Sequence, residues 1–232
     1  RFPAKPLINI NGKTMIQRVY EQAKLASALD HVIVATDHQE IVDEVVSFGG
    51  EVVMTEAHHQ SGTDRCLEAA LQTEMEFDIV VNIQGDEPFI SPDQINLILS
   101  CFNQENTEIA TLVKLIEDQK VLWDTNKPKV VIDDDDFAIL FSRQCIPHLR
   151  GVEKEKWNEE FNYYKHIGMY AYRLETLKEI CQLKPSRLEK AESLEQLRWI
   201  ESGYRIKTAI TEEEAFSIDT PEDLEELLSK DL

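Results

Sequence analysis

Apolar residues recur along the first part of the chain in two alternating patterns. Short β-branched runs at residues 32–35, 51–54 and 79–83 indicate buried strands, and helical spacing is found at 14–27, at 39–48 and in a segment that ends near residue 74. Strands that alternate with helices of roughly 10–15 residues predict βαβ units and a parallel sheet. We therefore predict an α/β fold with a parallel sheet.

The pattern changes between residues 108 and 172. Short strands are predicted at 109–115, 130–132, 138–141 and 167–172, and four consecutive aspartates at 133–136 indicate a solvated hairpin turn. A single helix is then predicted at 188–202, followed by a strand at 206–210. A length of 232 residues suits one α/β domain. We predict a single domain over residues 1–232 with a small antiparallel insertion at about 109–172.

Charge and cysteine content restrict the possible partners. The formal net charge of −20, from 24 Lys plus Arg against 44 Asp plus Glu, opposes binding to nucleic acid or to an anionic membrane surface. Four widely separated cysteines without a C-x-x-C pair predict buried thiols in a reducing compartment, and no apolar run is long enough to span a bilayer. We expect a soluble, cytoplasmic protein without nucleic-acid binding or membrane insertion.

Two aspartates follow predicted strands, and the first of them is a candidate metal ligand. Asp86 follows the strand at 79–83 and the turn residue Gly85, at the strand end where open α/β sheets bind ligands. A carboxylate there suits a metal ion and its bound phosphates, although an acidic surface turn has the same pattern. Asp219 precedes Thr220 and Pro221, which are typical of a helix start and would hold this acid rigidly.

Further polar residues lie at predicted element ends. Thr36 and Asp37 are candidates for a helix N-cap or a ligand contact. In the segment 60–65, Ser61 can cap the next helix and Gly62 allows a flat ring or a phosphate to approach backbone amides. The preceding pair at 58–59, two adjacent histidines, is interpreted as part of a surface loop rather than a metal site, since no third ligand stands at a fixed spacing.

The insertion contributes a second group of candidates. Arg143 follows a predicted strand and could bind a substrate carboxylate through its guanidinium, or simply pair with a surface acid. His166, Gly168 and Tyr170 alternate with apolar residues, so they share one face of a strand. The same alternation is typical of a half-exposed strand without a ligand.

Nine runs along the whole length resemble the 3-deoxy-manno-octulosonate (KDO) cytidylyltransferases. They are R-F-P-A-K-P-L at 1–7, N-G-K at 11–13, A-T-D-H at 35–38, Q-S-G-T-D-R at 60–65, N-I-Q-G-D-E-P at 82–88, F-S-R-Q-C-I-P at 141–147, K-H-I-G-M-Y-A-Y at 165–172, L-E-Q-L-R at 194–198 and D-T-P-E-D-L at 219–224. Each run alone is weak. Together and in this order they are highly specific.

The resemblance implies a reaction and a fold. Such an enzyme joins CTP to KDO, releases pyrophosphate and supplies CMP-KDO for lipopolysaccharide biosynthesis. Its fold is α/β with a doubly wound, mainly parallel sheet of the nucleotide-diphospho-sugar transferase type. The resemblance implies that Asp86 and Asp219 hold Mg²⁺, that Arg1 and Lys5 belong to the phosphate loop, and that the insertion forms a homodimer. The anomeric hydroxyl of the sugar is expected to attack the α-phosphorus in line, without a covalent enzyme intermediate.

The resemblance also assigns the two substrates to residues. Cytidine contacts are implied for Thr36, Asp37, Gln60, Ser61 and Gly62. Sugar-acid contacts are implied for Arg143, His166, Tyr170, Glu195 and Gln196, with Arg143 as the expected partner of the carboxylate. Three alternatives stay open: a cytidylyltransferase for another acidic sugar, such as 8-amino-KDO or sialic acid; a catalytically silent binding module; and a glycosyltransferase of similar fold.

One departure from the family pattern concerns the start of the sequence. The family's phosphate loop follows a strand and an Ile-Pro-Ala-Arg run, neither of which precedes Arg1 here. We expect a polypeptide that begins at Arg1 to be inactive and poorly folded. CTP turnover by a protein with the mass of these 232 residues would refute this expectation.

Overall fold

The structure, a computed structural model, describes residues 5–214. Among these residues the chain divides into two compact units, one comprising residues 5–96 and the other comprising Leu97–Glu214. Helices and strands alternate in the first unit, whereas antiparallel strand pairs occupy most of the second. The predicted single domain stays a prediction, but the predicted change of character between the two parts of the chain is confirmed.

Five strands are found in the described part of the first unit. Strands β1 (Asn9–Ile10) and β2 (Lys13–Thr14) form an antiparallel hairpin. Strand β3 (Val34–Thr36) pairs in parallel with β4 (Val52–Met54), and β5 (Ile79–Asn82) follows helix α3. The strands predicted at 32–35, 51–54 and 79–83 are therefore confirmed to within a few residues.

Its helices also follow the predicted pattern. They are α1 (Met15–Lys24), α2 (Gln39–Ser47), α3 (Gly62–Gln72) and the start of α4 (Pro92–Ser100), which a 3₁₀ turn at Cys101–Asn103 continues. Thr14 caps α1 by accepting a hydrogen bond from the amide of Gln17 at 3.3 Å. The apolar face predicted for this helix is buried, with Met15 and Val19 in the core.

The second unit is built on a mixed sheet with the order β10-β6-β9-β7-β8. Its strands are β6 (Ile109–Leu115), β7 (Lys129–Ile132), β8 (Ala138–Ser142), β9 (Tyr164–Arg173) and β10 (Ile206–Ile210). β10 is parallel to β6, whereas the β6–β9, β7–β8 and β7–β9 pairs are antiparallel. The predicted antiparallel strands of residues 109–172 are confirmed.

A bulge interrupts the pairing of β6 with β9. Thr111 lies opposite Tyr170, but the next residue of β6, Leu112, lies opposite Ile167. Gly168 and Met169 therefore face no residue of β6 at this point. A bulge leaves backbone groups without ladder partners, so other groups have to satisfy them.

The aspartate run forms the predicted hairpin turn between β7 and β8. The carboxylate of Asp133 accepts hydrogen bonds from the amides of Phe137 at 2.7 Å and Asp135 at 3.0 Å. These backbone hydrogen bonds, first that of Phe137, lower the pKa of Asp133. Asp136 adopts a left-handed conformation with φ of 59°, which aspartate tolerates in tight turns.

The helix prediction for residues 188–202 was wrong. The structure has two short helices, α8 (Arg187–Glu192) and α9 (Gln196–Glu201), separated by Ser193 at φ 51°. A left-handed residue ends a helix, and neither Gly nor Pro marks the break in the sequence. The short helices α5 (Gln119–Trp123), α6 (Trp157–Glu160) and α7 (Leu174–Ile180) were not predicted.

The prediction of four buried thiols was wrong for three of them. Only Cys101 is buried, and burial raises the pKa of its thiol to about 11. Cys66, Cys145 and Cys181 are partly exposed, because sequence spacing alone does not determine which side of an element faces solvent. Within residues 5–214 the cysteines form no disulfide. No helix in this range is long and apolar enough to cross a membrane.

Candidate active site

Lys5 and Asp86 form an ion pair in the first unit. Lys5 Nζ lies 2.8 Å from Asp86 Oδ2, and Asp86 follows β5 on the predicted turn. The Asp86 side chain is about one-third exposed (33%), and its second oxygen, Oδ1, has no hydrogen-bond partner among residues 5–214. A half-exposed carboxylate with one open oxygen is able to bind a hard cation such as Mg²⁺.

The other two residues of the predicted phosphate and metal site, Arg1 and Asp219, lie outside the described residues. Within the described range, no group of three or more His, Cys, Asp or Glu side chains is gathered as for a metal ion. Whether Asp219 shares a metal with Asp86 therefore stays a prediction.

The start of α3 lies against the end of β5. Ser61 caps the helix by accepting from the amide of Asp64 at 3.2 Å, as predicted. A Cβ atom added at Gly62 would lie 3.3 Å from Asn82 Nδ2 and 3.7 Å from Gln84 Nε2. The glycine therefore leaves room beside two side-chain amides. Asn82 and Gln84 were not predicted as site residues, although both belong to a family run.

Thr36 and Asp37 do not cap the next helix, which corrects the first interpretation of these residues. The N-cap position of α2 is His38, and its amide donates to the buried hydroxyl of Thr36 at 3.2 Å. Asp37 instead pairs with Arg65, whose guanidinium lies 3.3 Å from Oδ1. Gln60, the remaining predicted cytidine contact, is exposed before α3.

The adjacent histidines are part of a loop, as preferred from the sequence. His58 is exposed, and its ring lies 4.7 Å from that of His59. His59 pairs with Glu68 of α3, and the hydrogen bond from the imidazole lowers the pKa of that carboxyl. The imidazole of His59 thus already has a carboxylate as its partner.

A cavity of about 380 Å³ lies between α1, β3, α3 and β5. Its walls are mainly apolar and include Val34, Ala69 and Ile79, with Arg65 as a charged exception. A triphosphate needs several donors or cations around it. We therefore place no anionic substrate in this cavity.

The second unit contains an aromatic cluster on one face of β9. Ring centroids are 5.1 Å apart for His166 and Tyr170, 5.0 Å for Tyr170 and Trp199, and 5.3 Å for Phe141 and His166. The prediction that His166 and Tyr170 share a face is confirmed. Burial raises the pKa of Tyr170 well above its ordinary value. The cluster combines an imidazole and a phenol in an apolar setting.

His166 is held by a residue that the sequence did not reveal. Its Nε2 lies 3.0 Å from the hydroxyl of Thr111 across the β6–β9 pair. Burial lowers the pKa of His166 to about 3, so the ring is neutral near pH 7. Thr111 is separated from His166 by 55 positions, and no local pattern links the two.

Gln196 is buried, in the second half of the segment that was predicted as one continuous helix. The break at Ser193 sets the rotation of α9 so that Gln196 and Trp199 point into the unit. Gln196 Nε2, Trp199 Nε1 and the hydroxyl of Tyr170 are buried without a hydrogen-bond partner among residues 5–214. Unpartnered buried polar groups are costly, so a polar ligand that formed hydrogen bonds with them would remove this cost.

The other two residues predicted to contact the sugar, Glu195 and Arg143, are close in sequence to members of the aromatic cluster. Glu195 is the half-buried residue at the start of α9. Arg143 donates to three backbone carbonyls, those of Glu192 at 2.6 Å, Thr125 at 3.1 Å and Ser193 at 3.3 Å. A guanidinium has five N–H groups, so Arg143 has donors left for a ligand.

The fold and the sequence define the class of this protein. A family model described as Cytidylyltransferase matches residues 1–210, and the chain belongs to this family. A 3-deoxy-manno-octulosonate cytidylyltransferase of Parabacteroides distasonis is 54% identical, over 99% of this chain and 92% of the relative. The enzyme of that name from Bacteroides thetaiotaomicron is 56% identical, over 97% and 90%. An 8-amino-3,8-dideoxy-manno-octulosonate cytidylyltransferase of Shewanella amazonensis is 47% identical, over 97% and 90%.

A solved structure supports the same class. CMP:2-keto-3-deoxy-manno-octonic acid synthetase complexed with CTP matches with a TM-score of 0.91 and 38% identity, over 99% of this chain and 92% of that chain. The predicted nucleotidyltransferase fold is thereby confirmed. A 4-diphosphocytidyl-2C-methyl-D-erythritol synthase from Anaerococcus prevotii, at a TM-score of 0.61 and 12% identity, shares the fold alone.

Proposed function

We propose that this protein transfers CMP from CTP to KDO, giving CMP-KDO and pyrophosphate. The main observation behind the proposal is that a chain of this family contains two sets of polar and charged side chains, one in each unit. One set consists of the Lys5–Asp86 pair and the start of α3 at Gly62, both in the first unit. The other is the buried polar cluster around His166.

The first unit supplies groups suited to a nucleoside triphosphate. Lys5 gives a cation for phosphate oxygens, and the start of α3 at Gly62 offers backbone amides to an anion. Side-chain amides and hydroxyls suit the hydrogen-bonding edge of cytosine, and Thr36, Gln60 and Ser61 are proposed for this role. Arg1 is proposed to act with Lys5 on the departing pyrophosphate.

Mg²⁺ is the metal that we propose for this site. Asp86 fits such an ion, because it is an oxygen donor with one open oxygen, and Asp219 is proposed as the second carboxylate. A bound Mg²⁺ would neutralise phosphate charge. The chain's own contribution is to orient the two anionic substrates and to hold cations near them, since charge repulsion is the main obstacle to their reaction.

The second unit supplies groups suited to a sugar acid. The neutral imidazole of His166, the phenol of Tyr170 and the amide of Gln196 can bind hydroxyl groups, and Arg143 can bind the carboxylate. Glu195 is proposed as a further acceptor for sugar hydroxyls. With the sugar held in this way, its anomeric hydroxyl attacks the α-phosphorus in line and pyrophosphate leaves.

The direct test measures pyrophosphate release from CTP, with and without KDO, across a titration of magnesium. We expect release that depends on KDO and on Mg²⁺ and that equals CMP-KDO formation. Release without KDO, or no release at any magnesium concentration, would contradict the proposal. A glycosyltransferase of similar fold would consume a nucleotide sugar and release no pyrophosphate.

A pair of variants tests the role of Asp86. Asp86→Asn removes the charge at the carboxyl end of β5, and we expect it to abolish most CMP-KDO formation while the circular dichroism spectrum stays unchanged. Asp78→Asn makes the same chemical change at an exposed position just before β5 and should keep full activity. A catalytically silent module would form no CMP-KDO, either as the wild-type protein or as one of these variants.

A second acidic sugar is a specific alternative, because the relative from Shewanella amazonensis carries the name of an 8-amino-KDO cytidylyltransferase. Turnover of KDO, 8-amino-KDO and sialic acid at equal concentration separates these possibilities. We expect KDO to give the highest kcat/KM. A higher value for either of the others would reassign the substrate.

We also propose a homodimer, formed through the insertion. β8 is an edge strand of the second unit's sheet, and Ile139 and Leu140 on it are 54% and 36% exposed. Apolar edge strands tend to pair with another chain. Light scattering after size exclusion should give twice the monomer mass, and Ile139→Lys should shift it towards the monomer. We propose the cytoplasm as the location, since a buried thiol such as Cys101 suits a reducing compartment.

A further inference from the structure

Thr111 is a fully buried threonine at the bulge between β6 and β9. Its hydroxyl oxygen lies 2.7 Å from the carbonyl oxygen of Met169 and 3.0 Å from Nε2 of His166, with the carbonyl oxygen of Ile167 more distant at 3.4 Å. One hydroxyl group therefore joins the backbone of the bulge to the imidazole in the aromatic cluster.

The number of protons in this arrangement determines the tautomer of His166. A threonine hydroxyl carries one proton, and a carbonyl oxygen can only accept. The short contact with Met169 therefore takes the proton of Thr111, and Nε2 of His166 has to be the donor in the second contact. The imidazole is then the Nε2–H tautomer, with a lone pair on Nδ1.

The opposite arrangement is disfavoured by the bulge. If Thr111 donated to His166, the carbonyl of Met169 would lose its nearest donor. Gly168 and Met169 face no residue of β6, so the ladder between β6 and β9 offers no replacement. A buried carbonyl without a donor is destabilising.

Nδ1 of His166 is open to a ligand. None of the hydrogen bonds formed within the described part of the chain involves it, and the rings of Phe141 and Tyr170 pack beside the imidazole. Burial lowers the pKa of His166 to about 3, so the ring carries no positive charge at neutral pH. The open nitrogen is thus an acceptor and lacks the charge that would favour a carboxylate.

We propose that Thr111 is a positioning residue that holds His166 as the neutral Nε2–H tautomer, so that Nδ1 accepts a hydrogen bond from a hydroxyl group of the sugar acid. This inference rests on the proposed function, because it specifies which chemical group of the sugar His166 recognises. The carboxylate is left to a cationic group, for which Arg143 is the candidate.

The tautomer can be measured on the free protein by NMR with ¹⁵N-labelled histidine. His166→Gln identifies the signals of this residue among those of the six histidines. We expect a protonated Nε2 and an unprotonated Nδ1. A protonated Nδ1 would overturn the proposal, whether or not the protein turns over KDO, so this experiment is independent of the proposed function.

Kinetics of Thr111→Val test the consequence for the sugar. The substitution keeps the branched shape and removes the hydroxyl, so we expect KM for KDO to rise about tenfold while KM for CTP stays unchanged. Thr111→Ser should restore most of the loss. Thr208→Val is the matched control, because the hydroxyl of this buried threonine on β10 donates to the carbonyl of Asp136 at 2.9 Å and has no imidazole partner.

Two results of this series would overturn the proposal: an equal change of both KM values in Thr111→Val, or the same change in Thr208→Val. If Thr111→Val does not fold, Thr111→Ser and deoxy analogues of KDO replace it. One deoxy analogue should lose about tenfold in kcat/KM with the wild-type protein and no more than a few-fold with His166→Gln. Equal loss with both proteins contradicts a hydroxyl contact to His166.

Discussion

At the scale of single residues, His166 shows how burial determines chemistry. The groups packed against its ring, Thr111, Phe141 and Tyr170, are uncharged at neutral pH, and no charged group among residues 5–214 contributes to the shift of its pKa. Desolvation alone accounts for the lowered pKa. The same property that makes His166 a constant acceptor makes the folded state sensitive to acid.

We expect this histidine to make stability depend on pH in a defined window. Its pKa is about 6.5 unfolded and about 3 folded, so below pH 6.5 the unfolded chain binds a proton that the folded protein does not. The free energy of unfolding should therefore fall as pH drops from 6.5 towards 3, by about 1 kcal/mol between pH 7 and pH 5.5.

Urea unfolding at the two pH values measures this effect. His166→Gln has no titrating ring, so its loss between pH 7 and pH 5.5 should be smaller than that of the wild-type protein by about 1 kcal/mol. The comparison cancels the titration of the other acids and histidines. Equal losses for both proteins would mean that the folded state binds this proton as readily as the unfolded chain.

Arg143 has a structural role that a lysine cannot fill. Its guanidinium joins carbonyls of Thr125, Glu192 and Ser193, and a single ammonium cannot reach all three. We expect Arg143→Lys to lower the free energy of unfolding by about 1–2 kcal/mol and to raise KM for KDO. Arg150→Lys, at an exposed arginine, is the control for both measurements. An unchanged KM with reduced stability would limit Arg143 to a structural role.

The candidate residues differ in how far sequence could identify them. Asp86 and Gly62 stand at the ends of clearly patterned elements, so their positions follow from local signals. Thr111 and Trp199 look like ordinary core residues within a strand and a helix. Their contacts with the site depend on pairing between segments remote in sequence, which no local pattern encodes.

At the scale of elements, the strands were predicted better than the helices of the second unit. β6 and β10 have the predicted bounds, because short runs rich in apolar and β-branched residues are a clear strand signal. The break between α8 and α9 was missed, since a serine in the left-handed region leaves no Gly or Pro as a marker. That one break decides that Gln196 is buried.

Gly168 of strand β9 allows a test of whether the sugar lies over this strand. Gly168 lies between His166 and Tyr170 along the strand, and a Cβ atom added there would meet nothing within 4 Å. Alanine in a strand is more favourable than glycine by roughly 0.5–1 kcal/mol. We therefore expect Gly168→Ala to raise the free energy of unfolding slightly, while its methyl group occupies ligand space and raises KM for KDO.

Gly168→Ala is expected to stabilise the folded protein and at the same time to weaken its binding of KDO, and this combination makes the test specific. A destabilised protein that binds its substrate poorly would be explained by misfolding alone, whereas a stabilised one would not. Thermal unfolding and KM for CTP serve as internal controls, and KM for CTP should stay constant. If KM for KDO also stays constant, the sugar does not lie over this part of β9.

At the scale of the whole molecule, charge opposes the proposed reaction. The protein has a formal net charge of −20, and both substrates are anions. Cations such as Lys5 act over contacts of about 3 Å, as the 2.8 Å pair with Asp86 shows. The repulsion, in contrast, comes from acids spread along the entire chain and acts over longer distances.

Added salt distinguishes the long-range repulsion by the net charge from the short-range contacts of cations such as Lys5. The Debye length falls from about 30 Å at 0.01 M to about 8 Å at 0.15 M, so added salt screens the distributed repulsion while direct contacts persist. We expect kcat/KM for KDO and for CTP to rise as KCl increases over this range at fixed free Mg²⁺. Potassium sulfate at equal ionic strength should give the same rise, which excludes an effect of chloride itself. A steady decrease would mean that local cations at the site, rather than the net charge, govern the encounter with the substrates.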